Sequence, residues 1–132
     1  MPNQGDPQTY PPVLRKAIRY IHENAQRDIA LRDICAAVNV TPRSVQYAFR
    51  RHLGTTPLEY LRRVRLERAH RELQRADPSR DTVTAIASRW GFTHPGRFSR
   101  IYRQIFGIPP SKTLRGGSPQ VGGLTAGRSP RG

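Results

Sequence analysis

At 132 residues the chain has room for one ordinary domain or two very small ones, and only 36% of it is apolar, so any core must be small. Lys and Arg number 23 against 9 acids, a formal net charge of +14 in which 21 of the cations are arginine; the first partner such a balance implies is nucleic acid. A single cysteine, Cys35, excludes a disulfide framework and any Cys-based zinc knuckle, no apolar run approaches the ~18 residues of a membrane span, and the N-terminus is no signal peptide, so a cytoplasmic protein with no membrane partner is expected.

Residues 1–10 are polar and broken by Pro2, Gly5 and Pro7, and read as a disordered leader. Pro11-Pro12 suits a helix start, where proline's missing N–H costs nothing, and Leu14, Ala17, Ile18 and Ile21 follow at helical spacing. An internal duplication comes next. Leu31, Ile34, Cys35 and Val38 stand at offsets 0, +3, +4 and +7, and Val83, Ile86, Ala87 and Trp90 repeat them. Each copy predicts a two-turn helix with one apolar face and a small residue (Cys35, Ala87) that lets another backbone approach.

A turn follows in each copy, Asn39-Val40-Thr41 and Gly91-Phe92-Thr93, starting with a residue type that tolerates a left-handed conformation. Thr41 or Thr93 suits an N-cap. Second helices then carry apolar faces of Val45, Ala48, Phe49 and Leu53, and of Phe98, Ile101, Tyr102 and Ile105. They stop at Gly54 and Gly107, and a proline three residues on (Pro57, Pro110) opens a further helix. One extra residue in the second turn moves the offset between copies from 52 to 53. The expected fold is all-α, with about seven helices. A first helix–turn–helix subdomain (11–56) and a second (77–115) are joined by a linker helix (57–76), and 116–132 reads as a disordered Gly/Ser/Pro/Arg tail.

Charge follows this plan. Ile34–Leu58 holds three arginines and no acid, and no acid follows Thr82. Between them, Glu59–Asp81 mixes seven arginines with five acids and reads as a solvated helix with pairs such as Glu67–Arg71 and Glu72–Arg75. A helix–turn–helix puts its second helix into the DNA major groove, so the outward side of that helix is the candidate reading face. In the first copy it offers Arg43, Ser44, Gln46, Tyr47 and Arg50. In the second it offers Arg97, Ser99, Arg100 and Arg103, with Pro95-Gly96 leaving the helix start without reading side chains. Arginine suits guanine O6/N7 and glutamine suits adenine N6/N7. A joining helix of about 18 residues would be roughly 27 Å long, close to the ~34 Å between successive major grooves on one DNA face.

The runs Leu31–Arg65 and Val83–Arg115 resemble the two halves of an AraC/XylS-type DNA-binding domain. The second carries Ile86-Ala87, Gly91-Phe92, Phe98-Ser99-Arg100, Tyr102-Arg103, Gly107 and Pro110. The resemblance covers about residues 11–115. It implies two homeodomain-like units and a sequence-specific bacterial transcription regulator, acting as an activator, that places both recognition helices in adjacent grooves of one double-stranded DNA site and contacts RNA polymerase. Asn39 stands where the family usually has glycine, Cys35 where it has alanine, and Thr113-Leu114 where it has an aromatic–Arg pair. The family's usual effector or dimerising domain has no counterpart in these residues, so the chain either stands alone or is a fragment. As given, it is expected to bind DNA as a monomer with no small molecule unless a missing domain dimerises it.

Trp90, Phe92, Phe98 and Tyr102 fall on the helix stripe or at the turn and read as core, and Cys35 as a packed small residue. His22, His52, His70 and His94 have no metal-ligand spacing; each defaults to helix surface, with His52 and His94 able to touch phosphate. No catalytic constellation is present, so neither an enzyme nor a cofactor is expected. The rival reading is a nonspecific or architectural nucleic-acid binder whose arginines meet only phosphates.

Overall fold

A computed structural model describes residues 9–116, and among them it contains seven helices and no strand. These are α1 (Pro12–Asn24), α2 (Leu31–Val38), α3 (Pro42–Leu53), α4 (Pro57–Arg75), α5 (Val83–Arg89), α6 (Pro95–Phe106) and α7 (Pro110–Leu114). Residues 1–8 and 117–132, most of the expected leader and tail, lie outside the described residues. The chain divides into two compact units between Arg65 and Leu66. Helices α1, α3, α4, α6 and α7 all begin on a proline, whose ring presets a helical φ and whose absent N–H would have had no partner there.

The first unit is built on the stripes expected of its sequence. Leu14, Ala17 and Ile21 of α1, Ile34 and Cys35 of α2, and Val45, Ala48 and Phe49 of α3 are buried, with Leu61 and Val64 of α4 closing the core. Tyr10, assigned to the leader by sequence, is only 8% exposed and belongs to this core, its ring 5.9 Å from His52. An aromatic of that size buries enough area to hold a short segment that has no helical period of its own. Arg65, in α4, donates from Nε to the Ala25 carbonyl (2.8 Å) and from Nη2 to the Arg27 carbonyl (2.7 Å). Ala25 is the C-cap of α1, so the guanidinium satisfies a backbone acceptor that the helix end leaves open, and it shares the Arg27 carbonyl with the Ile29 N–H.

The second unit buries Leu66, Ala69 and Leu73 of α4, Ile86 and Ala87 of α5, and Phe98, Tyr102 and Phe106 of α6. The α6 stripe therefore runs Phe98–Tyr102–Phe106, with Ile101 and Ile105 only partly buried on its flank. Truncating Phe49 or Phe98 to alanine would cost about 3–5 kcal/mol, on the scale of a small domain's whole stability.

Three expectations for this unit need correction. Glu72 does not serve Arg75; it pairs with Arg89 and accepts the Trp90 indole N–H at 2.8 Å, fastening the end of α5 to α4. His70 is not a surface residue. It is half-buried, stacked on Phe106 with ring centroids 4.1 Å apart, and its Nδ1 lies 2.7 Å from the Tyr102 hydroxyl. Thr93 does not cap α6: the extra turn residue moves the N-cap to His94, which makes no side-chain capping bond.

Candidate nucleic-acid interface

The two helix–turn–helix turns are closed by the same backbone hydrogen bond. In the first turn Asn39 takes the left-handed conformation (φ 56°), and the Val40 N–H reaches back to the Cys35 carbonyl at 3.2 Å. In the second, Gly91 does so (φ 87°), and the Phe92 N–H reaches the Ala87 carbonyl at 3.0 Å. The small residue of each copy thus accepts the bond that closes its helix. Asparagine is among the few non-glycine residues that enter this region at modest cost, which explains its place in the first turn. Thr41 then caps α3, its Oγ1 accepting the Ser44 N–H at 3.2 Å.

From the N-caps on, α3 and α6 run in register at an offset of 53, and their outward positions compare directly. Arg43, Ser44, Gln46, Tyr47 and Arg50 of α3 correspond to Gly96, Arg97, Ser99, Arg100 and Arg103 of α6. All five α3 residues are exposed, Tyr47 by 65%. On α6 the three arginines are exposed and Ser99 is half-buried. Only Arg50 and Arg103 share a side chain. The α3 face mixes cation, hydroxyl, amide and phenol, whereas the α6 face is dominated by guanidinium groups.

Arg43, Ser44, Tyr47 and His52 line a cleft of about 440 Å³ whose floor includes Ala48 and, from the start of α1, Pro11 and Val13. Gln46 and Arg50 lie outside it. In the second unit Ser99, Arg100 and Arg103 line a cleft of about 410 Å³ with Gln104 and Pro109, and Arg97 lies outside. Gln104 is exposed and was not singled out from the sequence. Its counterpart on α3 is Arg51, which lines no such cleft, so the shared register carries no signal for it. Ser44 is less free than the sequence suggests, because the Thr41 hydroxyl donates to its Oγ at 3.2 Å.

No acidic residue occurs on α3 or on any of α5, α6 and α7, so both reading faces lack local negative charge that would repel phosphate. Burial pushes the Cys35 thiol above its usual pKa, which keeps it protonated and unreactive. Among the described residues no three His, Cys, Asp or Glu side chains gather to hold a metal ion, and no helix is long and apolar enough to cross a membrane.

Comparison with known proteins agrees with this geometry. Residues 34–116 match the model of a helix-turn-helix domain family. The chain is 43% identical over 105 residues to a probable thc operon regulatory protein of Rhodococcus erythropolis, covering 80% of this chain and 32% of that protein. It is 38% identical over 104 residues to the XylDLEGF operon transcriptional activator 1 of Pseudomonas putida, covering 79% and 31%. The chain therefore spans about a third of the length of these relatives. Among solved structures, the crystal structure of a probable AraC family transcriptional regulator from Rhodopseudomonas palustris superposes with a TM-score of 0.73 at 37% identity, covering 81% of this chain and 98% of that one.

Proposed function

This chain belongs to the AraC-type helix–turn–helix family of DNA-binding transcription regulators, a family of regulators and not of enzymes, and from that premise we propose how it reads DNA. Helices α3 and α6 each enter a major groove of one asymmetric double-stranded site. Arg43, Ser44, Gln46, Tyr47 and Arg50 contact one segment, and Arg97, Ser99, Arg100 and Arg103 the next. The observation that carries this reading is the pair of matched, acid-free outward faces on two frames that share the same turn hydrogen bonds.

Base discrimination rests mainly on α3, since Arg43 and Gln46 offer bidentate chemistry for guanine and adenine respectively. Helix α6 supplies phosphate affinity and, through Arg97 or Arg100, guanine preference. The protein acts as an activator by contacting RNA polymerase in a bacterial cytoplasm, and these residues bind as a monomer without a small-molecule effector. The name of the Pseudomonas putida relative supports the activating role. Selection of bound sequences from a random DNA pool tests the reading. The expected result is a two-part motif, sharper under α3 and G-biased under α6. Recovery of no motif would leave a nonspecific phosphate binder, the second reading, which the arginine-dominated face of α6 favours.

A further inference from the structure

The shared register exposes one difference between the two units that lies behind the reading faces. Phe49, at the centre of the α3 stripe, corresponds to Tyr102 on α6, and Tyr60 of α4 corresponds to Thr113 of α7. In the first unit the phenol belongs to α4: the Tyr60 hydroxyl lies 2.9 Å from His22 Nε2 of α1, while Phe49 offers no hydrogen-bonding group. In the second unit the phenol sits on the reading helix itself. Tyr102 is fully buried (0% exposed), and its hydroxyl donates to Thr113 Oγ1 at 2.7 Å. The same oxygen lies 2.7 Å from His70 Nδ1, so one phenol hydroxyl is bonded to two other helices. Thr113 is itself 2% exposed.

We propose that Tyr102 is a positioning residue for DNA recognition, its hydroxyl fixing the rotation of α6 between His70 of α4 and Thr113 of α7. The proposal rests on α6 being a DNA-reading helix. Apolar stripes tolerate small rotations because contact energy is spread over many atom pairs, whereas a buried hydrogen bond weakens steeply with distance and angle. A hydrogen-bonded network centred on a buried hydroxyl therefore favours one arrangement of the elements it joins. Along α6, Tyr102 lies one residue before Arg103 and two after Arg100. Any rotation of the helix about its axis carries those guanidinium groups sideways across a base edge. An arginine-rich face binds phosphate at many angles, but it reads guanine at only one; the network supplies the angle.

The test removes one oxygen atom. The full chain and its Y102F, T113V and T113S variants are assayed on a selected site and on random DNA, at a temperature where thermal unfolding shows each variant fully folded. Base preference is measured position by position. Y102F and T113V are expected to reduce discrimination under α6 by roughly fivefold or more, the low end of what one specific base contact contributes. Preference under α3 and affinity for random DNA should stay unchanged, and T113S, which keeps the hydroxyl, should behave as the parent. Unchanged preference under α6 in Y102F would overturn the proposal, as would equal losses under both helices. Arg100→Ala, run in parallel, separates the two ideas: if it disturbs the α6 segment and Y102F does not, positioning fails alone. If Y102F, Arg100→Ala and a parallel Arg97→Ala variant all leave that segment undisturbed, neither candidate guanine-reading arginine of α6 reads a base and both ideas fail.

Discussion

Arg65 offers the sharpest test of how the first unit is held together. Its fork spans the turn after α1, and replacing it with methionine keeps most of the stem's packing while deleting both bonds. A hydrogen bond from a charged donor contributes about 1.5–3 kcal/mol net. The two bonds differ in what their loss leaves behind. Ala25 is 1% exposed, so its carbonyl loses its partner in a nearly dry site, whereas Arg27 is exposed and its carbonyl turns to water. The first bond therefore counts almost in full and the second hardly at all. Against this stands the relief of a partly buried guanidinium, whose pKa burial lowers and Asp28 partly restores. Arg65→Met should cost about 2 kcal/mol, and Arg65→Lys, which brings one point donor in place of a fork, about half that. Urea unfolding followed by far-UV circular dichroism measures both, with the midpoint moving and the slope unchanged. A loss below about 0.5 kcal/mol for the methionine variant, or a lysine variant as stable as the parent, would refute the account.

Other consequences follow from named residues. Arg43→Ala and Arg100→Ala should each weaken specific DNA binding by about 1–3 kcal/mol, while charge removal at Arg97 and Arg103 should flatten the salt dependence by about one unit for each phosphate interaction removed. Fluorescence titrations over a salt series decide this, and equal losses on random DNA would demote Arg43 and Arg100 to phosphate binding alone. Burial, with a smaller contribution from the Arg71 charge, holds His70 below the ordinary histidine pKa. As pH falls, the unfolded chain takes up the proton first, so stability is complete above about 6.5 and declines as pH drops towards the folded value. Unfolding at pH 7.5 and 5.0 should show a decline that His70→Gln reduces, and an identical pH dependence in that variant would count against it. At Gly54 the left-handed φ of 67° makes alanine cost about 1 kcal/mol although the space is open. At Gly96, helical and equally open, alanine should add about 0.5 kcal/mol. Thermal midpoints moving in the same direction for both glycine variants would contradict that contrast.

Much of this architecture is legible along the chain because its signals are local. The caps at Asn39, Gly54 and Gly107, the prolines at the helix starts, and the stripes of α1, α2 and α3 each depend on neighbours within a turn or two. What sequence reading misses is partner choice across the fold. Glu72 stands three residues before Arg75, a spacing that suits a local pair, yet the fold brings Arg89 and the Trp90 indole to it from another helix. His70 stands at the +4 place of an apolar stripe formed by Leu66, Ala69 and Leu73, but a histidine there defaults to surface because its partners Tyr102 and Phe106 lie more than 30 residues away. Thr113 reads as a weak substitute for an aromatic until the Tyr102 hydroxyl is seen beside it. On the reading faces, helical period gives exposed positions for every expected outward residue except Ser99, which is half-buried. It says nothing of which outward residues share a cleft, and so gives no sign of Gln104 beside Arg100 and Arg103.

The prolines that open five of the seven helices have a further meaning for a protein with two small cores. A pyrrolidine ring acts on the denatured chain, removing conformations that would otherwise have to be given up on folding, and each compatible site contributes about 0.4–1 kcal/mol. Five such sites amount to about 2–5 kcal/mol, similar to the burial of one or two large apolar side chains. Stability of this covalent origin is indifferent to ionic strength. A strongly cationic chain exchanges counterions whenever it meets or leaves a polyanion, and its helix starts stay equally well defined on either side of that exchange.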